Sequence, residues 1–294
     1  MTVFGAGTLD TPFTAEFQAF REQNPGVTVH SQFGASGDMI KAITQLHQPA
    51  DVLGVADYSL IPKKMMTGSK PYATWYVGFV SNEITFAYTS QSKGADKLTA
   101  SNWYKVLAQP GVHIGRSNPA ADPSGYQVLQ MLRLANGYYH DSGLSAAVLK
   151  NSPDSSVAET ETSLLAALQS GQIDYLAIYK SNAIEDHLRY LKLPVQINLS
   201  SPAMAARYSK VTVNGGGSLG ELAAKPIIYG LTVPTNAPDA AIGQAFVKFV
   251  LSSKGQAIMA KQGFVSMTPA LASRQASVPP SLRPLTKQWT KAGG

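Results

Sequence analysis

The first 55 residues alternate strand and helix signals, and that alternation narrows the fold more than any other feature of the chain. Val3-Phe4 reads as a short strand, and Leu9, Phe13, Phe17 and Phe20 then recur at helical spacing, with Pro12 tolerable in a first turn. Asn24-Pro25-Gly26 marks a turn before the alternating strand Val27-Thr28-Val29-His30. Gly34 to Gly37 leads into a second helix marked by Ile40, Ile43 and Leu46, and Ala50 to Val55 reads as a buried strand. A β-α-β-α-β order predicts a parallel sheet flanked by helices. Ligands of such sheets sit beyond the carboxyl ends of the strands. The turns Gly5-Ala6-Gly7-Thr8 and Gly34-Ala35-Ser36-Gly37 follow strands one and two, so they are expected to face one crevice.

A second region opens with the strand-like run Glu83 to Tyr88. His113-Ile114-Gly115 then leads through Asn118 to Gly125 into a helix with Val128, Leu129, Leu132 and Leu134 largely on one side. Ser163 to Leu168 reads as another helix start and Tyr175 to Tyr179 as another strand. After Pro194, the strand Pro226 to Val233 and the helix around Ile242, Phe246, Phe249 and Val250 look like the first region resuming. Asn214-Gly215-Gly216-Gly217-Ser218 lacks the helix context and lysine of a phosphate-cradling loop, so it reads as a surface loop.

At 294 residues the chain can build two ordinary domains. Apolar residues make up 44% and charged residues only 14%, which fits a compact fold and not a disordered chain. No stretch approaches the roughly 18 apolar residues of a membrane span. Met1 runs straight into strand-like sequence, so any signal peptide is expected to have been removed already. With no Cys, thiolate catalysis, cysteine zinc sites and disulfides are excluded. The net charge of +6 is spread over single Lys and Arg residues, adjacent only at Lys63-Lys64, so nucleic acid is not the expected partner.

Besides the two turns above, Asp122-Pro123-Ser124-Gly125, Glu161-Thr162-Ser163 and Ile178-Tyr179-Lys180-Ser181 put small donor residues between a strand and a helix. Hydroxyls and bare backbone N–H groups at helix starts can hold an oxyanion without Lys or Arg. Thr8 and Ser36 could equally be ordinary helix N-caps, Ser124 a turn residue and Tyr179 a core aromatic.

The order and spacing of several runs go further. They are Ala50-Asp51-Val52-Leu53 with Ala56-Asp57-Tyr58, Ser101-Asn102-Trp103-Tyr104, and Ser117-Asn118-Pro119 with Asp122-Pro123. Gly171 to Tyr175 with Ile178-Tyr179-Lys180-Ser181, Leu199-Ser200-Ser201-Pro202 and Lys225 to Gly230 complete the set. Together they resemble the archaeal-type molybdate/tungstate-binding proteins of ABC importers, a branch of the periplasmic molybdate-binding protein superfamily. The resemblance implies a type II periplasmic-binding-protein fold: two α/β lobes joined by a hinge, with the ligand in the cleft. Residues 1–86 and 199–294 would form the first lobe and residues 87–198 the second. It further implies a periplasmic or extracellular, membrane-associated location, delivery to an ABC permease, a monomer, no cofactor and no catalysis.

Carried over by position, Thr8 and Ser36 match hydroxyl ligands. Ser124 and the turn from Glu161 to Ser163 match backbone N–H donors, and Tyr179 supplies a phenol. Archaeal-type members also place two carboxylates against the metal atom. Asp122 matches the first, whereas the second, a Glu, falls on Ser163, with Glu159 and Glu161 just upstream. Two unit charges about 4 Å apart at an effective dielectric near 20 interact by roughly 4 kcal/mol, so an ionised Asp122 would repel a dianion unless it bonds the metal, takes a proton or turns away. Asp122 therefore favours molybdate or tungstate over sulfate, and the missing Glu predicts a four-coordinate or partly expanded centre. Arg116, near the same loop, could offset charge or extend into solvent. Two readings stay open beside this one: a binder of sulfate, phosphate or an organic carboxylate, and an enzyme on the same fold, against which stands the absence of a Ser–His–Asp ordering or a His/Asp/Glu metal cluster.

Overall fold

The computed structural model describes residues 1–216 and 220–289, so the Asn214 to Ser218 loop lies partly outside the described residues. The chain forms two compact units. The first joins Met1–Ser81 to the segment that begins at Ile227, and the second is Asn82–Pro226.

In the first unit, seven strands run in the order Thr286–Gln288, Val265–Ala272, Val77–Ser81, Ile228–Thr232, Val52–Val55, Thr2–Ala6, His30–Gly34. Thr2–Ala6 pairs in parallel with His30–Gly34 and with Val52–Val55, as the alternation of the first 55 residues predicts. Ile228–Thr232 runs antiparallel to Val52–Val55 and to Val77–Ser81, which makes the whole sheet mixed. Its core is aromatic. Phe13 and Phe17 of the helix Asp10–Gln23 meet Phe246 of the helix Ala240–Leu251 at ring separations of 5.7 and 5.2 Å, in edge-on and tilted arrangements suited to the ring quadrupoles. Asp51 is buried and accepts from Thr2 N–H and Asp239 N–H, both at 2.7 Å, so this carboxylate ties the sequence-distant halves of the unit together.

In the second unit, five strands run in the order Val157–Ala158, Ile114–Ser117, Tyr175–Tyr179, Ile84–Tyr88, Arg189–Tyr190. The first three are mutually parallel and the remaining pairs are antiparallel. The helix Pro123–Tyr138 carries the hairpin of Thr212–Asn214 and Glu221–Ala223, tied by Gln130 Nε2 to Leu222 O at 3.1 Å and by Arg133 to Thr212 O at 2.6 Å.

Three sequence expectations shift. The strand expected at Val27–His30 lies at His30–Gly34, because pairing begins where Thr2 faces His30 and ends where Ala6 faces Gly34. The Val27/Val29 alternation has no strand partner among the described residues. Leu46 falls beyond the helix Ser36–Thr44 and is 67% exposed. Residues 82–86 and 199–226, assigned by sequence to the first lobe, cluster with the second unit, since Ile84–Tyr88 pairs with Tyr175–Tyr179 and Ile84 N–H reaches Asn198 O. Among the described residues, no helix is long and apolar enough to cross a membrane.

Candidate functional site

Each unit brings polar groups to the carboxyl ends of adjacent parallel strands, and the two sets differ in chemistry. In the first unit, a single turn of 3-10 helix at Gly7–Leu9 carries Thr8 directly after the strand Thr2–Ala6. Thr8 Oγ1 lies 2.8 Å from the hydroxyl of Tyr229, a fully buried residue of the strand Ile228–Thr232. Ser36 opens the helix that follows His30–Gly34, and its Oγ accepts from Ala56 N–H at 3.1 Å, just beyond Val52–Val55. The N-cap positions belong to Ala6 and Ala35, and neither helix start has a side-chain cap, so Thr8 and Ser36 are not ordinary caps. Both are only partly buried. A hydroxyl carries one proton. With the lone-pair side of Ser36 Oγ filled by Ala56, the proton remains available to an external acceptor, and Tyr229 can place Thr8 in the same state.

In the second unit, Ile114–Ser117, Val157–Ala158 and Tyr175–Tyr179 lead to Asp122, Glu161 and the start of the next helix. Asp122 caps the helix Pro123–Tyr138, its Oδ1 accepting from Ser124 N–H at 3.0 Å, and Pro123 suits the first helical position. Asp122 Oδ2 accepts from Glu161 N–H at 3.4 Å. Ser124 Oγ donates to Glu161 Oε2 at 3.0 Å and lies 2.6 Å from Ser117 Oγ. Glu161 is only 5% exposed. Burial above all, then a hydrogen bond with Asp122 and that residue's charge, hold its carboxyl well above the usual carboxylate range; the Ser124 hydroxyl opposes the shift. The arrangement is a carboxyl pair in which Glu161 hydrogen-bonds Asp122.

This corrects the sequence reading in two respects. Glu161, expected to lend only a turn that donates backbone N–H groups, also brings its side chain to Asp122. The backbone N–H of Ser124, expected to point at an anion, donates to Asp122, and so does that of Glu161, within the turn expected to supply another donor. Ser163 is exposed and its hydroxyl pairs with that of Thr160 at 2.7 Å. Tyr179 is buried at the end of its strand, immediately before the helix Lys180–Glu185. Arg116 is half-buried, with burial lowering its pKa and the charge of Asp154 opposing that, so it is not a freely solvated side chain. It alternates with Ser117 along the strand and points to the opposite face of the sheet.

Sequence reasoning missed Tyr229 and Ser117. Tyr229 stands 221 residues from Thr8, and no local pattern links them. Ser117 sits at a strand end just before Asn118-Pro119, and that position was the available signal.

Two α/β units, the first assembled from both ends of the sequence and each carrying polar groups at strand ends, define the fold of a periplasmic solute-binding protein. The periplasmic molybdate-binding protein of Azotobacter vinelandii superposes with a TM-score of 0.60 at 17% identity, covering 91% of this chain and 99% of that one, a likeness of fold. The family model for bacterial extracellular solute-binding proteins matches residues 1–265. An uncharacterised solute-binding protein of Petrotoga mobilis is 38% identical over 273 residues, spanning 92% of this chain and 84% of that protein. The molybdate/tungstate-binding protein WtpA of Pyrococcus abyssi is 35% identical over 298 residues, spanning 92% and 86%. The chain belongs to the bacterial extracellular solute-binding protein family.

Proposed function

We propose that this protein captures molybdate or tungstate outside the cytoplasm and delivers it to an ABC permease, without catalysing a reaction. The observation that carries this reading is the carboxyl pair of half-buried Asp122 and buried Glu161. A carboxylate pair repels sulfate, whose sulfur cannot usefully accept a further oxygen. Molybdenum and tungsten can accept one, so the same pair becomes attractive once it bonds the metal atom. Thr8 and Ser36 supply donors for the oxo groups, and Tyr179 a further phenol. The relatives described as binding molybdate and tungstate support the same ligand class. With Glu161 taken as the second carboxylate, this reading favours a six-coordinate centre over the four-coordinate or partly expanded one expected from Ser163.

Hydrogen bonds to charged groups contribute roughly 1.5–3 kcal/mol each, so a handful suffices for nanomolar affinity, about 12 kcal/mol, after ordering costs. The test is calorimetric titration of ligand-free protein with molybdate, tungstate, sulfate and phosphate. Tight binding of the first two and weak binding of the others is expected. A preference for sulfate or phosphate overturns the assignment.

A further inference from the structure

We propose that Ser117 is a positioning residue that fixes the Glu161 carboxyl through Ser124 and thereby sets the preference for molybdate and tungstate over sulfate. The inference rests on the oxyanion reading above and adds a residue outside the anion's own contacts.

Counting protons gives the direction of the chain. The single hydroxyl proton of Ser124 goes to Glu161 Oε2, so in the 2.6 Å contact Ser124 Oγ accepts and Ser117 donates. Ser117, Ser124 and Glu161 are 1%, 1% and 5% exposed, so water does not compete for these bonds. The backbone holds the chain taut at both ends. Ser117 pairs in register with Ala158, and Asn118 N–H reaches Ala158 O at 2.8 Å, which locks the strand end to the segment leading to Glu161. Gly125 lets the helix start come down on the strand, since a Cβ there would stand 2.6 Å from Ser117 O and 2.7 Å from Pro119 N. The Asp122 cap fixes the Ser124 backbone, leaving one rotation, about its Cα–Cβ bond, that Ser117 pins. Glu161 Oε2 is therefore tied from behind.

A carboxylate that bonds a metal centre must be aimed, whereas one that merely repels a dianion acts at any orientation. Loss of Ser117 should therefore cost the heavy oxyanions and spare sulfate. The experiment titrates wild type, Ser117→Ala, Ser117→Thr and Ser124→Ala with tungstate and with sulfate at one pH, and records thermal unfolding of each. Ser117→Ala and Ser124→Ala are expected to lower tungstate affinity about tenfold (roughly 1.4 kcal/mol) with sulfate affinity unchanged. Ser117→Thr, which keeps the hydroxyl, should restore most of the loss. An unchanged tungstate-to-sulfate ratio in both alanine variants overturns the proposal, whether or not the melting temperature falls. A wild type that binds neither molybdate nor tungstate defeats the ligand reading itself, and that outcome shows in the first titration.

Discussion

Two glutamates, one in each unit, are buried almost completely, and their surroundings could hardly differ more. Glu16, on the helix Asp10–Gln23, is fully buried and neither carboxyl oxygen has a hydrogen-bond partner among the described residues. Burial alone pushes it up to about 8. Glu161 is held by Ser124, paired with Asp122 and set at the end of parallel strands. Burial raises both, yet only Glu161 has neighbours that give its charged form a use. A perturbed carboxyl marks a site when partners orient it, and otherwise marks a strain on the core. The units divide in the same way: the first brings neutral hydroxyls to its strand ends and keeps Glu16 in a helix away from them, while the second brings acids to its strand ends.

The largest effect expected from breaking this comparison is on stability. Glu16 is raised in the folded state, so between about pH 4.5 and 8 the native protein holds a proton that the unfolded chain has released. Stability contributed by protonated Glu16 is complete below that window and declines as pH rises through it. Glu16→Gln removes the slope. Urea unfolding should show the variant gaining about 4 kcal/mol relative to wild type from roughly pH 5 to pH 8, at about 1.4 kcal/mol per unit. A constant difference across that range would mean that Glu16 titrates normally.

Next comes the acid pair. Asp122→Asn keeps the helix cap but removes the charge. It should narrow the tungstate-to-sulfate affinity ratio about 100-fold, part of the roughly 4 kcal/mol that each close charge pair exerts. Equal weakening of both anions would reduce Asp122 to a turn residue.

A smaller effect tests the close approach that holds the second unit's site. Gly125→Ala forces a Cβ against the Ser117 carbonyl, and overpacking of this kind costs about 1–3 kcal/mol. The melting temperature should fall and tungstate affinity with it. Tolerance of alanine would show that the helix start can move without harm. The smallest effect belongs to the hydroxyls of the first unit. Thr8→Ala or Ser36→Ala should weaken molybdate, tungstate and sulfate alike by about tenfold, since a neutral donor does not distinguish their centres. A changed ratio between anions would break the division of labour between the units.

Much of this was legible along the chain because it rests on local periodicity. The helix at Phe13, Phe17 and Phe20, the buried strand before Ala56, the strand Tyr175–Tyr179 and the polar turns after them follow from spacing alone. Asp122 was singled out by the family resemblance, and its role as helix cap came only with the structure. What escaped depended on pairing between distant segments. The register of His30–Gly34 is set by Thr2–Ala6, and the Tyr229 contact with Thr8 by the order of strands in the sheet. The contact of the Glu161 side chain with Asp122 was not legible either, because matching by position pointed to Ser163. In space, a two-residue difference in a turn decides which side chain meets Asp122. Ordinary turn geometry permits such a shift, and no composition or spacing records it.

The central claim is that the carboxyl pair of the second unit bonds the metal atom of the bound oxyanion. X-ray absorption at the tungsten L3 edge of the tungstate complex counts the oxygens directly. Wild type is expected to show the short oxo distances plus two longer oxygen scatterers, with one of the longer pair lost in Glu161→Gln. A spectrum of four short oxygens alone, the same in wild type and variant, would contradict it.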